Sequence, residues 1–287
     1  MTKALLAILL SFAACAAPAS AQGLDKAWEA RGFANPESVL WDRDRKVLYV
    51  SNVNGTPQDK DGNGYVSELS SDGRILSLKW ATGLDGPKGM AVSHGRLFIA
   101  DIDRLAVVDT ATGKTIGSYA AVGAKFLSDV TADGDGNVYV SDMLGNTIWR
   151  LSGNVFEKWL SSPDLQSPNG LKAEPGRLIV ASWGGAADRG VSTKTPGSLK
   201  EVDYRDKRIH AITGNLGNLD GVESDGPRGY LVSDYVKGVV FRIDARGKAK
   251  VVLRLGQGSA DIGSIPEQHL LLVPMMMDGT VAAYRLP

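Results

Sequence analysis

The chain has 287 residues, 43% of them hydrophobic and 22% charged, an ordinary composition for a globular protein with a large core. Its 32 Lys and Arg balance 32 Asp and Glu. No overall field of either sign points to nucleic acid or to an anionic membrane surface, so a small ligand is the expected partner.

Met1-Thr2-Lys3, an apolar run over residues 4–14 and Ala19-Ser20-Ala21 before Gln22 have the three-part layout of a secretory signal peptide. Residues 1–21 are therefore set aside from the fold, and residues 22–287 are expected to form one exported domain, periplasmic or secreted. The apolar run falls short of the ~20 residues that span a bilayer, and no second run approaches that length, so no membrane span is expected. Cys15, the only cysteine, lies within the leader. The mature chain then has no thiol for a disulfide or a Cys-ligated metal. A rival reading makes Phe12-Ala13-Ala14-Cys15 a lipoprotein box with a lipid on Cys15; Phe12 matches such a box poorly, and the later Ala-Ser-Ala site matches well.

Beyond the leader, one segment recurs six times: a short turn, a polar residue, a small residue and an apolar strand. Its copies include Asn35-Pro36-Glu37-Ser38-Val39, Gly86-Pro87-Lys88-Gly89-Met90, Ser167-Pro168-Asn169-Gly170-Leu171 and Asn218-Leu219-Asp220-Gly221-Val222. Weaker copies stand at Leu127-Ser128-Asp129-Val130 and Ser259-Ala260-Asp261-Ile262. The polar position thus reads Glu37, Lys88, Ser128, Asn169, Asp220 and Ala260.

A second strand follows in each unit, rich in β-branched and aromatic residues, as in Val47-Leu48-Tyr49-Val50-Ser51-Asn52. Its equivalent positions Val50, Ile99, Val140, Val180, Val232 and Leu272 are 49, 41, 40, 52 and 40 residues apart. Third strands follow turns, as in Thr147-Ile148-Trp149-Arg150-Leu151, and fourth strands are shorter and less regular. A period of about forty residues built of strands predicts an all-β, six-bladed β-propeller with four antiparallel strands per blade. The sixth unit ends after its third strand, and Asp25-Lys26-Ala27-Trp28-Glu29-Ala30-Arg31 resembles a fourth strand, so the two chain ends should meet in one blade and close the ring. The two long spacings come from insertions at 53–63 and 184–196, between second and third strands. Both should overhang the face that carries the recurring polar position.

In such a ring Glu37, Asn169 and Asp220 converge at the mouth of the central channel. Two carboxylates and an amide oxygen are hard donors of the kind Ca²⁺ prefers. Lys88 either pairs with Glu37 or Asp220, fills the metal position, or binds a substrate carboxylate or carbonyl. Ser128 is a further oxygen donor, and Asn52, Trp183, Tyr235 and Met275 are candidates for the ligand-facing rim. Asp129 and Asp261, one place later, are expected to bond backbone amides of their turns. Asp101, Asp142 and Asp234, each ending a second strand, should fasten neighbouring loops.

Other motifs have plain readings. Asp59-Lys60-Asp61-Gly62-Asn63-Gly64 starts like a calcium loop but has Ser70 where the closing Glu belongs, and reads as a hairpin turn. Asp133-Gly134-Asp135-Gly136-Asn137 reads the same way. His94 falls in a turn on the opposite face, His210 in an outer strand, and His269 at the start of a strand. There is no Gly-x-Ser-x-Gly elbow, no phosphate-binding glycine loop and no Cys or His cluster for zinc.

The Pro36-Glu37 entry, Pro168-Asn169-Gly170 and Leu219-Asp220-Gly221, together with the repeat, resemble the senescence-marker-protein (regucalcin), gluconolactonase and LRE-like family of six-bladed propellers. That resemblance implies a divalent ion on Glu37, Asn169 and Asp220, with Asp220 as the catalytic base in hydrolysis of a sugar lactone or related ester. Two positions depart from the family pattern: Ser128 stands where an Asn is common, and Lys88 faces the proposed ion. The alternative function is a non-catalytic, NHL-repeat-like propeller whose loops grip a small ligand or a protein partner.

Overall fold

A computed structural model describes residues 23–185 and 193–287; the leader, with Cys15, and residues 186–192 of the second insertion lie outside it. Six four-stranded antiparallel sheets follow one another around an axis as the blades of a propeller. Blade one runs outward from the axis through Pro36–Asp42, Val47–Asn52, Gly64–Ser70 and Ile75–Leu84. The innermost strands of blades two to six are Pro87–Ser93, Leu127–Ala132, Pro168–Glu174, Leu219–Ser224 and Gly263–Ile265.

The sequence pattern follows burial across each blade. Second strands are stacked between neighbouring blades and covered on both faces, so Val47–Asn52 is buried at every residue, with an apolar run over its first four residues before Ser51 and Asn52. Outer strands face water on one side: Thr115–Ala120 is exposed at nearly every residue, which is why its apolar signal is weak. Six apolar clusters fill the six seams between blades, for example Tyr49, Val66, Leu97 and Ile99 between blades one and two.

The ring closes as the sequence predicts. Lys26–Arg31 pairs antiparallel with Thr280–Arg285 as the outer strand of blade six. Ala30, Phe33, Val39, Leu48, Leu272 and Val281 then form one cluster across the seam to blade one. Closure leaves no blade with an unmatched face at the chain ends. One detail differs from expectation: His269 does not begin a strand but caps a short 3₁₀ turn, Pro266–Gln268, at φ 52° before Leu270–Met275.

The inner strands share an irregularity that builds the site. In blades one to five the ladder to the second strand is interrupted after its first pair, for example between Pro36↔Asn52 and Val39↔Val50. Two residues are left unpaired in each, a bulge that turns their side chains toward the axis. The pairs are Glu37-Ser38, Lys88-Gly89, Ser128-Asp129, Asn169-Gly170 and Asp220-Gly221. In blade six Ala260-Asp261 occupies the equivalent place, and Asp261 bridges to Ser38 across the closing seam.

Candidate functional site

The first residue of each bulge faces a cavity of about 410 Å³ at the mouth of the channel. Glu37, Lys88, Ser128, Asn169 and Asp220 all line it. These residues are as many as 183 positions apart in sequence (Glu37 to Asp220). Only ring closure brings them together. Trp183 and Tyr235 form one wall, their ring centroids 5.7 Å apart. Val53, Thr56, Pro57 and Gln58 reach over from the first insertion, as the position of that loop predicts.

Hydrogen bonding divides the polar residues into fixed and free. Ser128 Oγ donates to Asn169 Oδ1 at 2.6 Å, and Asn169 Nδ2 donates to Asp220 Oδ1 at 3.0 Å. Ser141 Oγ donates to the Asn169 carbonyl at 2.7 Å and accepts from Asp129 N at 2.8 Å, which pins the strand on either side. Glu37 is 8% exposed, and its Oε2 has no partner among the described residues. Burial pushes the Glu37 carboxyl well above its ordinary range, and the nearby Asp220 and Asp261 push it further. Burial does the same to Asp220, with Asp261 the largest neighbouring charge.

Lys88 is 2% exposed. Its Nζ donates to the Gly86 carbonyl at 2.8 Å and stands 4.5 Å from the centroid of the Phe126 ring. It makes no ion pair with Glu37 or Asp220 within 4.0 Å. Burial pulls its ammonium down to about 8, against the attraction of Glu37 and Asp101. The residue is thus held at the cavity wall by a carbonyl and an aromatic face, not by neutralising the acids.

The donors at the mouth suit a hard cation. Glu37 and Asp220 supply carboxylate oxygens, Asn169 an amide oxygen, and one Glu37 oxygen is buried with nothing to bond. Among the described residues no three His, Cys, Asp or Glu side chains come together as a ligand set, and Asn169 Oδ1 accepts from Ser128 Oγ at 2.6 Å.

Two expected rim residues lie elsewhere. Asn52 is fully buried inside blade one: its Oδ1 accepts from Ala34 N at 3.1 Å, and its Nδ2 donates to Val50 O at 2.9 Å and Ser67 Oγ at 3.0 Å. It closes the turn entering its blade, as Asp101 does by accepting from Gly86 N at 2.8 Å and Asp142 from Phe126 N at 2.9 Å. Asp234 instead accepts from Lys237 N at 2.9 Å within its own turn and lies 3.6 Å from Lys237 Nζ. Met275 faces the seam between blades five and six, and its neighbour Met276 lines the cavity instead. Phe126, Met143 and Leu144 also line it without having been singled out. Phe126 stands directly before an inner strand, a position a closer reading of the repeat could have flagged; the other two sit in an ordinary-looking turn.

The second bulge position faces a smaller cavity of about 160 Å³ farther along the channel, lined by Ser38, Asp129, Lys172, Glu223 and Asp261 among others. Asp129 accepts from Val130 N and from Leu171 N of the next blade, both at 2.6 Å. Asp261 accepts from Ser38 Oγ at 2.5 Å. Asp129 therefore bonds backbone amides as expected, one of them across a blade seam, whereas Asp261 bonds a hydroxyl. Gly89 and Gly221 make room for these acids, since a Cβ on either would fall on the Asp129 or Asp261 carboxylate. Lys172 and Glu223 pair at 2.7 Å.

Neither of the calcium-like loops is built as one. Asp61 accepts from Asn63 N at 3.2 Å, and Asp133 from Asp135 N at 3.0 Å and Asn137 N at 2.9 Å, which are turn contacts. No helix among the described residues is long and apolar enough to cross a membrane.

The fold is a six-bladed propeller, an architecture shared with several solved structures. Among solved structures, a gluconolactonase from Xanthomonas campestris superposes with a TM-score of 0.68 at 17% identity, covering 90% of this chain and 88% of that one. Streptogramin B lyase matches with a TM-score of 0.62 at 11% identity, over 89% and 94% of the two chains. A chain of the nidogen/laminin complex matches with a TM-score of 0.60 at 18% identity, over 77% and 83%. At these identities the likeness concerns the fold. No protein-family profile and no curated protein matches the chain significantly.

Proposed function

We propose that the protein hydrolyses a lactone or related small ester with the help of a divalent cation, Ca²⁺ being the best fit, held by Glu37, Asn169 and Asp220. The observation that carries this reading is Glu37: a buried carboxylate with an unpartnered oxygen, beside a second buried acid, at the mouth of a cavity sized for a small molecule. Two acids in such a place repel each other unless one holds a proton or a cation joins them, and a cation lets both ionise. The likeness of the fold to a gluconolactonase agrees with this chemistry.

The ion, when bound, supplies a Lewis acid that polarises the ester carbonyl. Asp220 takes a proton from the attacking water as the water oxygen bonds to the carbonyl carbon. The bond to the leaving alkoxide breaks, the proton passes to that oxygen, and a hydroxy acid results. Asn169 orients Asp220 through their 3.0 Å hydrogen bond, and Ser128 in turn fixes the Asn169 amide. Lys88 offers an ammonium to a substrate carbonyl or carboxylate, and the Trp183 and Tyr235 wall keeps bulk water from the reacting group.

Lys88 also favours a second reading, a non-catalytic propeller that grips an anionic ligand without an ion, because a buried ammonium in the cavity opposes a nearby cation. Calorimetric titration of Ca²⁺ into chelator-treated protein separates the two. The expected result is saturable binding that weakens at least about 100-fold in Glu37→Gln. No binding to the unaltered protein would reject the metal-dependent hydrolase in favour of the second reading.

A further inference from the structure

We propose that the substrate of this site carries an apolar alkyl or aryl group and is not a polyhydroxylated sugar lactone. The inference rests on the lactone-hydrolase reading and adds the substrate class to it.

The walls of the cavity supply the argument. Val53, Pro57, Phe126, Met143, Leu144 and Met276 present carbon and sulfur surface, and they come from the entry turns and strand 2–3 connections of different blades. The Trp183 and Tyr235 rings complete this collar. The polar groups that reach the cavity are mostly occupied by each other. Ser128 is bonded to Asn169, Asn169 to Asp220, and Lys88 to Gly86 O. The Tyr235 hydroxyl stands 3.7 Å from Met276 Sδ. Thr56 and Gln58 are exposed and sit at the rim.

A sugar lactone brings several hydroxyl groups, each needing a partner when it leaves water. This wall has too few free groups to meet them. An alkyl or aryl substituent needs none and gains from burial. The directed contacts that remain are the Lys88 ammonium, which spends one donor on Gly86 O, and the unpartnered oxygen of Glu37; the hydrolase reading already gives these to the ester group and the cation.

The test uses the full mature chain with Ca²⁺ and compares kcat/KM for glucono-δ-lactone, unsubstituted δ-valerolactone, and δ-lactones bearing an ethyl, butyl or phenyl group beside the ring oxygen. The expected series rises about tenfold for each two methylenes added, with glucono-δ-lactone below the unsubstituted ring. Leu144→Asn should erase most of the gain from the butyl group, bringing the butyl and unsubstituted lactones to within about twofold of each other in that variant. A flat series, or a preference for glucono-δ-lactone, overturns the inference while leaving the hydrolase reading standing. If no lactone is turned over, calorimetry with 2-phenylcyclohexanone, which has no bond to hydrolyse, decides separately. Binding that Leu144→Asn weakens upholds the apolar cavity although the hydrolase reading falls; absence of binding overturns both.

Discussion

The two positions of the inner-strand bulge set side by side two acidic regions with opposite fates. At the second position Asp129 is met by two backbone N–H groups, and Asp261 by the Ser38 hydroxyl. At the first position Glu37 keeps an oxygen with no partner, and Asp220 holds only the Asn169 amide. Both regions are buried and both carry carboxyl groups pushed above their ordinary values by burial. Acidity and burial are therefore shared between a structural seam and a candidate site. The unmet hydrogen-bonding capacity at the mouth, in a cavity open to a ligand, is what separates them.

The sharpest test of that contrast is Asp220→Asn. The amide keeps an oxygen donor and removes the proposed base, so turnover of a lactone should fall by about 10²–10⁴-fold, while circular dichroism and the melting temperature stay near those of the parent chain. Unchanged turnover would remove Asp220 from the chemistry and with it the distinction drawn for the mouth.

A smaller but clear effect is expected from Asn52→Ala, which touches neither cavity. It strips three buried hydrogen bonds from the blade-one entry, and denaturant unfolding should show a loss of about 2 kcal/mol with KM unchanged. A raised KM at unchanged stability would return Asn52 to the ligand-facing rim.

The deeper acids should show themselves in the pH dependence of stability. Burial lifts the Asp261 carboxyl from an ordinary 3.8 to about 7, so between those values the folded chain holds a proton that the unfolded chain has released. The associated stability is full below the lower value and is lost as pH rises through the upper one. In the presence of a chelator the melting temperature should fall across this window, and Asp261→Asn should flatten the fall. A profile that rises instead would mean that the channel acids are ionised in the folded chain.

The smallest effect concerns Lys88. Replacing it by Met keeps the bulk and removes the charge, and Ca²⁺ affinity by calorimetry should tighten by several-fold, on the order of 1 kcal/mol for a charge acting at a partly screened distance. Unchanged affinity would show that the carbonyl of Gly86 and the Phe126 ring already hold the ammonium out of the ion's reach.

Much of this arrangement was legible in the chain itself. The forty-residue period, the closing strand near Trp28 and the convergence of Glu37, Asn169 and Asp220 all follow from repeats that can be counted. Trp183 and Tyr235 were also found, because each follows the end of a second strand whose place in its unit is clear. Met275 and Asn52 depart from expectation for separate reasons. In the run Met275-Met276-Met277 the second strand ends at Met275, which packs in a seam, and Met276, the first residue of the following turn, lines the cavity. Asn52 looked like a rim residue by position, yet it takes the loop-fastening role seen at Asp101 and Asp142, since its side chain turns back to Ala34 N.

The sequence by itself determined the number of blades, the way the ring closes and which residue type each blade offers at the channel, because strand period and turn chemistry are local properties repeated six times. Tertiary structure alone decided which of those residues have partners. The bond from Ser128 to Asn169, the bond from Asn169 to Asp220, the seat of Lys88 on Phe126 and the orphaned oxygen of Glu37 all arise between blades. Hydrogen bonding across a ring depends on distances between segments tens to hundreds of residues apart, and no local pattern encodes them.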